Sequence, residues 1–90
     1  MRTLNQRTKF RKDLKRMQRQ SKDFSKLTAI VTALASDAAL PSSARPHKLV
    51  GDWDGAWECH IAPDWLLIYN LDDASNKLDL FRTGSHAELF

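Results

Sequence analysis

Cys59-His60-Ile61-Ala62-Pro63-Asp64-Trp65-Leu66-Leu67-Ile68-Tyr69 reads as a strand, a tight turn and a second strand. Trp57, Cys59 and Ile61 alternate with Glu58 and His60, the period-two pattern of a half-buried strand. Pro63 has no N–H to give to a ladder and fixes φ, so Pro63-Asp64 is the turn. Trp65 to Leu71 is apolar almost without a break, which suits a central strand buried on both faces. His60 and Asp64, two groups able to move protons, therefore lie at one end of a rigid hairpin.

Downstream, Leu71 to Asn76 is a polar hairpin loop and Lys77 to Thr83 alternates as another strand. Gly84-Ser85 breaks that strand, and His86 to Phe90 forms a short turn or helix. Upstream, Ala56 to Ile61 completes the first strand, Gly51 to Gly55 is a turn, and His47 to Val50 is a short extended piece. Pro41 and Pro46, with Ser42 and Ser43 between them, end a helical region. That region holds two amphipathic patterns. Phe10, Leu14 and Met17 fall at i, i+4, i+7 behind Thr8 as a cap; Phe24, Leu27, Ile30, Val31 and Leu34 form a second stripe. Ser21 to Asp23 supplies the turn or the second cap, so the helices form an antiparallel hairpin. Arg2 to Gln6 is a short strand at the edge or centre of the sheet. The expected fold is α+β: one domain over residues 1–90, a small antiparallel sheet with an N-terminal two-helix hairpin on one face. The opposite face has no helix to cover it. It is expected to lie open, lined by His60, Arg82 and other polar residues.

Ninety residues suit one small domain, and no stretch reads as a membrane span or a cleavable signal, so a cytoplasmic location is expected. The lone cysteine, Cys59, excludes an internal disulfide; on the apolar side of its strand it reads as a buried, inert thiol. Charge is uneven. Residues 1–48 carry twelve Lys or Arg against three Asp, and residues 49–90 carry two against eight Asp or Glu. The first helix holds most of the cations, Lys12 and Arg16 among them. Either they meet a polyanion or they form a solvated face.

All three histidines follow residue 46, each beside a turn or strand end, and strand pairing can bring such points together. An ordinary imidazole titrates near pH ~6.5 and serves as acid or base at neutral pH. Asp64 can orient one, and Arg82 offers a fork for a phosphate. His47, His60, Asp64 and His86 with Arg82 suit RNA cleavage, in which the 2′-OH is the nucleophile. A zinc site ranks lower, because no His pair has ligand spacing and the residues are spread over four segments. No cofactor loop or nucleophile elbow is present, and none of these residues calls for a cofactor. Trp53 and Trp57 read as core. Trp65 also reads as core but, beside Asp64, has a mixed role as a stacking surface, and Phe90 is a candidate stacking surface for an unpaired base.

The run His47-x-Leu49-x-Gly51-x-Trp53-x-Gly55, then His60-x-x-Pro63-Asp64-Trp65-x-Leu67-Ile68-Tyr69, then Arg82-Thr83-Gly84-Ser85-His86-Ala87-Glu88-Leu89-Phe90, resembles the YafQ-type toxins of the RelE/ParE superfamily. The resemblance spans nearly the whole chain. It implies the toxin of a type II toxin–antitoxin pair, a ribosome-dependent endoribonuclease that cuts mRNA in the A site of the 70S ribosome and is neutralised by a cognate antitoxin. It places functional roles on His47, His60, Asp64, Trp65, Arg82, His86 and Phe90. The alternative is a non-enzymatic toxin of the same fold, of the gyrase-inhibiting kind, or a nucleic-acid-binding module using only the basic helices.

Overall fold

The computed structural model describes all 90 residues, Met1–Phe90. Along them lie β1 (Thr3–Gln6), α1 (Thr8–Arg19), α2 (Phe24–Ala35), β2 (His47–Lys48), β3 (Trp57–Ala62), β4 (Trp65–Asp72), β5 (Lys77–Gly84) and α3 (His86–Leu89). The sheet order is β1-β5-β4-β3-β2, so β4 is central and β1 and β2 are the edges. Three pairings are antiparallel, but β1 runs parallel to β5, from Thr3 beside Lys77 to Gln6 beside Leu80. The sheet is therefore mixed, not purely antiparallel. A parallel pair needs a long connection, and the two helices lie within it.

Trp65 to Tyr69 are all buried, as the unbroken apolar run predicts. Trp65, Leu67 and Tyr69 join Phe10 and Met17 of α1 and Leu27, Ile30 and Leu34 of α2 in the main core. Leu66 and Ile68, on the other face, form a second small core with Ala56 and Leu89, and Leu49, Trp53 and Phe81 pack against it. This corrects the expectation of an open second face. No long helix covers it, but the 49–56 turn and α3 fold back over part of it.

The cap at α1 also differs. Arg7 holds the N-cap position without a side-chain hydrogen bond, and Thr8 is already helical. Asp23 caps α2 as expected, its carboxylate accepting from the Ser25 N–H at 3.0 Å. Arg2 caps the other end of α2. Its backbone N–H donates to Ala35 O at 2.8 Å, and its guanidinium to Leu34 O at 3.0 Å and to the carboxylates of Asp37 and Asp73. Those groups give the last helical carbonyls donors they otherwise lack. Cys59 is fully buried, and burial pushes its thiol up to about 12, so it is inert as the strand pattern implies. No helix is long and apolar enough to cross a membrane.

Candidate active site

The β3–β4 hairpin closes through Pro63 and Asp64, with Ala62 paired to Trp65 and a register shift at Ile61. Such a shift bends a strand and re-aims the side chains beside it. Asp64 leaves this turn exposed and meets His86, the first residue of α3. One carboxylate oxygen, Oδ1, accepts from the His86 backbone N–H at 3.2 Å and lies 3.1 Å from His86 Nδ1. An ionised carboxylate only accepts, so the proton sits on Nδ1 and Nε2 is left for exchange with a substrate. The hydrogen bonds from His86 hold the Asp64 carboxyl below its usual range. The His60 and His86 rings lie with centroids 6.3 Å apart. His60, Asp64 and His86 are therefore brought together from 26 residues of sequence, as expected. Ser85 fixes α3 through a reciprocal cap: its Oγ accepts from Glu88 N–H and its N–H donates to the Glu88 carboxylate.

Arg82 is tied down rather than free. Its Nε and Nη2 donate to Asp13 at 2.7 and 3.0 Å, a fork-to-fork pair that leaves Nη1 without a protein partner. Asp13 is only 2% exposed. It also accepts from Thr83 N–H at 3.1 Å and from Arg16 Nη1 at 2.8 Å. Burial pushes its carboxyl up, but the hydrogen bonds from Arg82, Thr83 and Arg16 outweigh this and hold it below the usual range. In turn Asp13 holds the Arg82 guanidinium above its usual range. Arg16 donates to Thr83 O at 3.0 Å, and its Nε lies 2.8 Å from Glu88 Oε2 without the alignment of a hydrogen bond. Beyond Leu80 there is no β1 left to pair with β5. Asp13 and Arg16 of α1 supply the acceptor and donor that a strand would have supplied to Thr83. A Cβ on Gly84 would stand 2.7 Å from Arg16 Nη2, so a larger residue here would push the end of that side chain aside.

The remaining expected residues divide. His47 is half-exposed on β2, opposite Glu58, and the register puts His47, Glu58 and His60 on one face. Its Nδ1 lies 3.2 Å from Arg45 O and its Nε2 3.3 Å from Glu58 Oε1. Of the two contacts, only the one with Arg45 has the geometry of a hydrogen bond. Trp65 is buried at 3% exposure, and its Nε1–H donates to Thr83 Oγ1 at 2.9 Å. That corrects the stacking role expected of it: the indole is core. Arg16 is likewise a structural ligand rather than a free phosphate contact. Lys12 and Phe90 are exposed and remain available.

Glu58 and Asp13 were not among the expected site residues. Glu58 is 5% exposed, and its Oε2 is buried with no hydrogen-bond partner. The available signal was a carboxylate two residues before a histidine on one strand face. Asp13 is the one acid in a basic helix, a position that reads as exposed.

Comparison with known proteins assigns the chain to a class, the small bacterial toxins of type II toxin–antitoxin systems. The model of that class described as "Bacterial toxin of type II toxin-antitoxin system, YafQ" matches residues 2–90, and the chain belongs to the YafQ family. The mRNA interferase toxin YafQ of Escherichia coli (strain K12) is 40% identical over 82 residues, 90% of this chain and 87% of that protein. A metal-bound toxin from Helicobacter pylori superposes with a TM-score of 0.94 at 39% identity, covering all of both chains. The toxin in the E. coli DinJ–YafQ complex superposes with a TM-score of 0.89 at 38% identity, over 100% of this chain and 99% of that one. In the present chain no three His, Cys, Asp or Glu side chains are gathered as metal ligands would be.

Proposed function

We propose that this chain is an endoribonuclease toxin that cuts mRNA in the ribosomal A site by general acid–base catalysis. The observation that carries the reading is the Asp64–His86 pair facing His60, with Arg82 held nearby on β5. In the reaction the 2′-oxygen bonds to the adjacent phosphorus and the P–O5′ bond breaks. One imidazole takes the 2′-OH proton and the other gives a proton to the departing 5′-oxygen. Asp64 orients His86 and stabilises it when it carries both protons. The free Nη1 of Arg82 offsets charge gathering on the phosphorane. Phe90 offers an exposed ring for a base, and the exposed lysines and arginines of α1, Lys12 among them, meet ribosomal RNA. The 40% identity to a protein named an mRNA interferase supports the same substrate class.

A cytoplasmic enzyme of this kind needs restraint, and the partner is a cognate antitoxin. The apolar groove between α1 and α2, lined by Leu4, Phe10, Leu14, Phe24, Leu27 and Val31, beside the basic helix suits an acidic amphipathic segment. The decisive experiment programmes purified 70S ribosomes with a defined codon in the A site and maps cleavage by primer extension. Wild-type protein should cut within that codon, and His86→Ala should bind but not cut. Arrest of translation without any cut would leave only the non-enzymatic reading.

A further inference from the structure

The largest surface cavity described, about 580 Å³, opens at the edge of β3 beside His60. It is lined by Lys26, Ser43, Arg45, His60, Ile61, Ala62 and Pro63, and no carboxylate lies among them. The lining comes from three places: the first turn of α2, the Ser42–Ala44 turn with its following residue, and the end of β3. β2 pairs with β3 only at Trp57 and Glu58, so from Cys59 onward that edge of β3 has no strand beside it. Lys26 and Arg45 form no ion pair in the protein; Asp23, the carboxylate acting on Lys26, is engaged by Ser25. Arg45 is held in the left-handed region at φ 43°, with its carbonyl against His47. The volume falls in the range of small-molecule sites, roughly 300–1,000 Å³. Two unpaired cations, a hydroxyl and an apolar wall in one such cavity match a nucleotide: phosphate on one side, sugar or base on the other.

We infer that this cavity is a second phosphodiester-binding subsite, which holds an mRNA phosphate next to the one that is cut. Lys26 and Arg45 take the phosphate oxygens, and Ile61, Ala62 and Pro63 pack against the nucleoside. Because His60 lines both the cavity and the catalytic group, a strand seated here enters the active site from one fixed side. The identity of the strand rests on the nuclease reading; the phosphate chemistry of the cavity does not.

The test compares wild type with Lys26→Gln/Arg45→Gln. Both residues are exposed, so unchanged thermal melting is expected. First, a single-stranded 2′-deoxyhexanucleotide, which cannot be cleaved, is titrated into each protein and followed by NMR. Amide shifts at residues 26, 43, 45 and 61 are expected, with at least fivefold weaker binding by the variant. The salt dependence should flatten by roughly 0.7 in log–log slope, for the one single-strand phosphate that is no longer neutralised. Absence of those shifts, or equal binding by the variant, overturns the subsite. Second, binding is measured to ribosomes carrying mRNA through the A site and to ribosomes whose mRNA stops before it. Loss of affinity confined to the filled A site supports an mRNA phosphate; equal loss on both overturns that assignment in favour of ribosomal RNA. If wild type does not cut at all, the nuclease reading fails while the oligonucleotide titration still decides the subsite.

Discussion

Asp64 does two separable things for His86: it accepts two hydrogen bonds, and it lends a negative charge. Asp64→Asn keeps an oxygen acceptor and removes the charge, whereas Asp64→Ala removes both. Single-turnover cleavage should therefore fall more for Ala than for Asn, with Ala and His86→Ala each losing about 10²–10⁴-fold, as for a missing acid or base. Both side chains are exposed, so thermal melts should be unchanged; equal rates for the two Asp64 variants would remove the orienting role and leave only the charge. Trp65 predicts the opposite partition. Trp65→Phe keeps the buried ring but deletes the Nε1–H donor to Thr83, which should cost about 1 kcal/mol in urea unfolding and leave RNA affinity intact. Weaker oligonucleotide binding at unchanged stability would restore Trp65 as a base platform. These residues also show where the sequence was legible. The placement of His60 and Asp64 follows from one proline and one alternating run. The burial of Trp65 was not separable from a surface role, because the same position flanks the core and the site.

At the scale of elements, α1 is the helix that holds the site in register. Asp13→Asn removes the charge that binds Arg82 and Arg16. Both arginines are partly exposed, which tempers the loss to about 2–3 kcal/mol, the range for hydrogen bonds to charged groups. The sign with pH follows from the depressed carboxyl. The wild-type advantage is full above about pH 4, the ordinary Asp range, and disappears as pH falls through the lower folded value. Chemical denaturation of both proteins from pH 3 to 7 checks this; a gap that widened on acidification would contradict it. Because Asp13 works through Arg82, its loss should lower kcat with little change in KM, and add nothing further in an Arg82→Gln background. Additive losses would mean that Asp13 acts elsewhere. The helices themselves were readable from their apolar spacing. The burial of Asp13 was not, since its partners lie 69 and 70 residues away and only the folded chain brings them near. The covering of the second sheet face by Trp53, Leu49 and Leu89 escaped for the same reason. The Ser85-x-x-Glu88 spacing is itself a capping-box pattern, although Gly84-Ser85 was read above only as a strand break.

For the molecule as a whole, basic residues gather in the first half, but not all of them face outward. Arg2, Arg7 and Arg16 are engaged by carboxylates, which leaves Lys9, Arg11, Lys12, Lys15 and Arg19 as the exposed, unpaired cations of α1. Lys12→Glu with Lys15→Glu should weaken ribosome binding and flatten its salt dependence without changing the melt. The slope should change by ~0.7–0.9 for each phosphate that is no longer neutralised. An unchanged slope would return this face of α1 to solvent. The parallel pairing of β1 with β5 bears on something else, the moment at which the protein becomes dangerous. The first strand synthesised finds its partner only when Lys77–Leu80 has been made, and Asp13 waits for Arg82 and Thr83. Such distant contacts cannot form in a partial chain and are slow to close once it is complete. A nascent polypeptide still threaded through the exit tunnel has neither the clamped arginine nor His86. On the proposed reading, ribosomes meet an active toxin only after Arg82 and His86 have been made and the chain has folded around them.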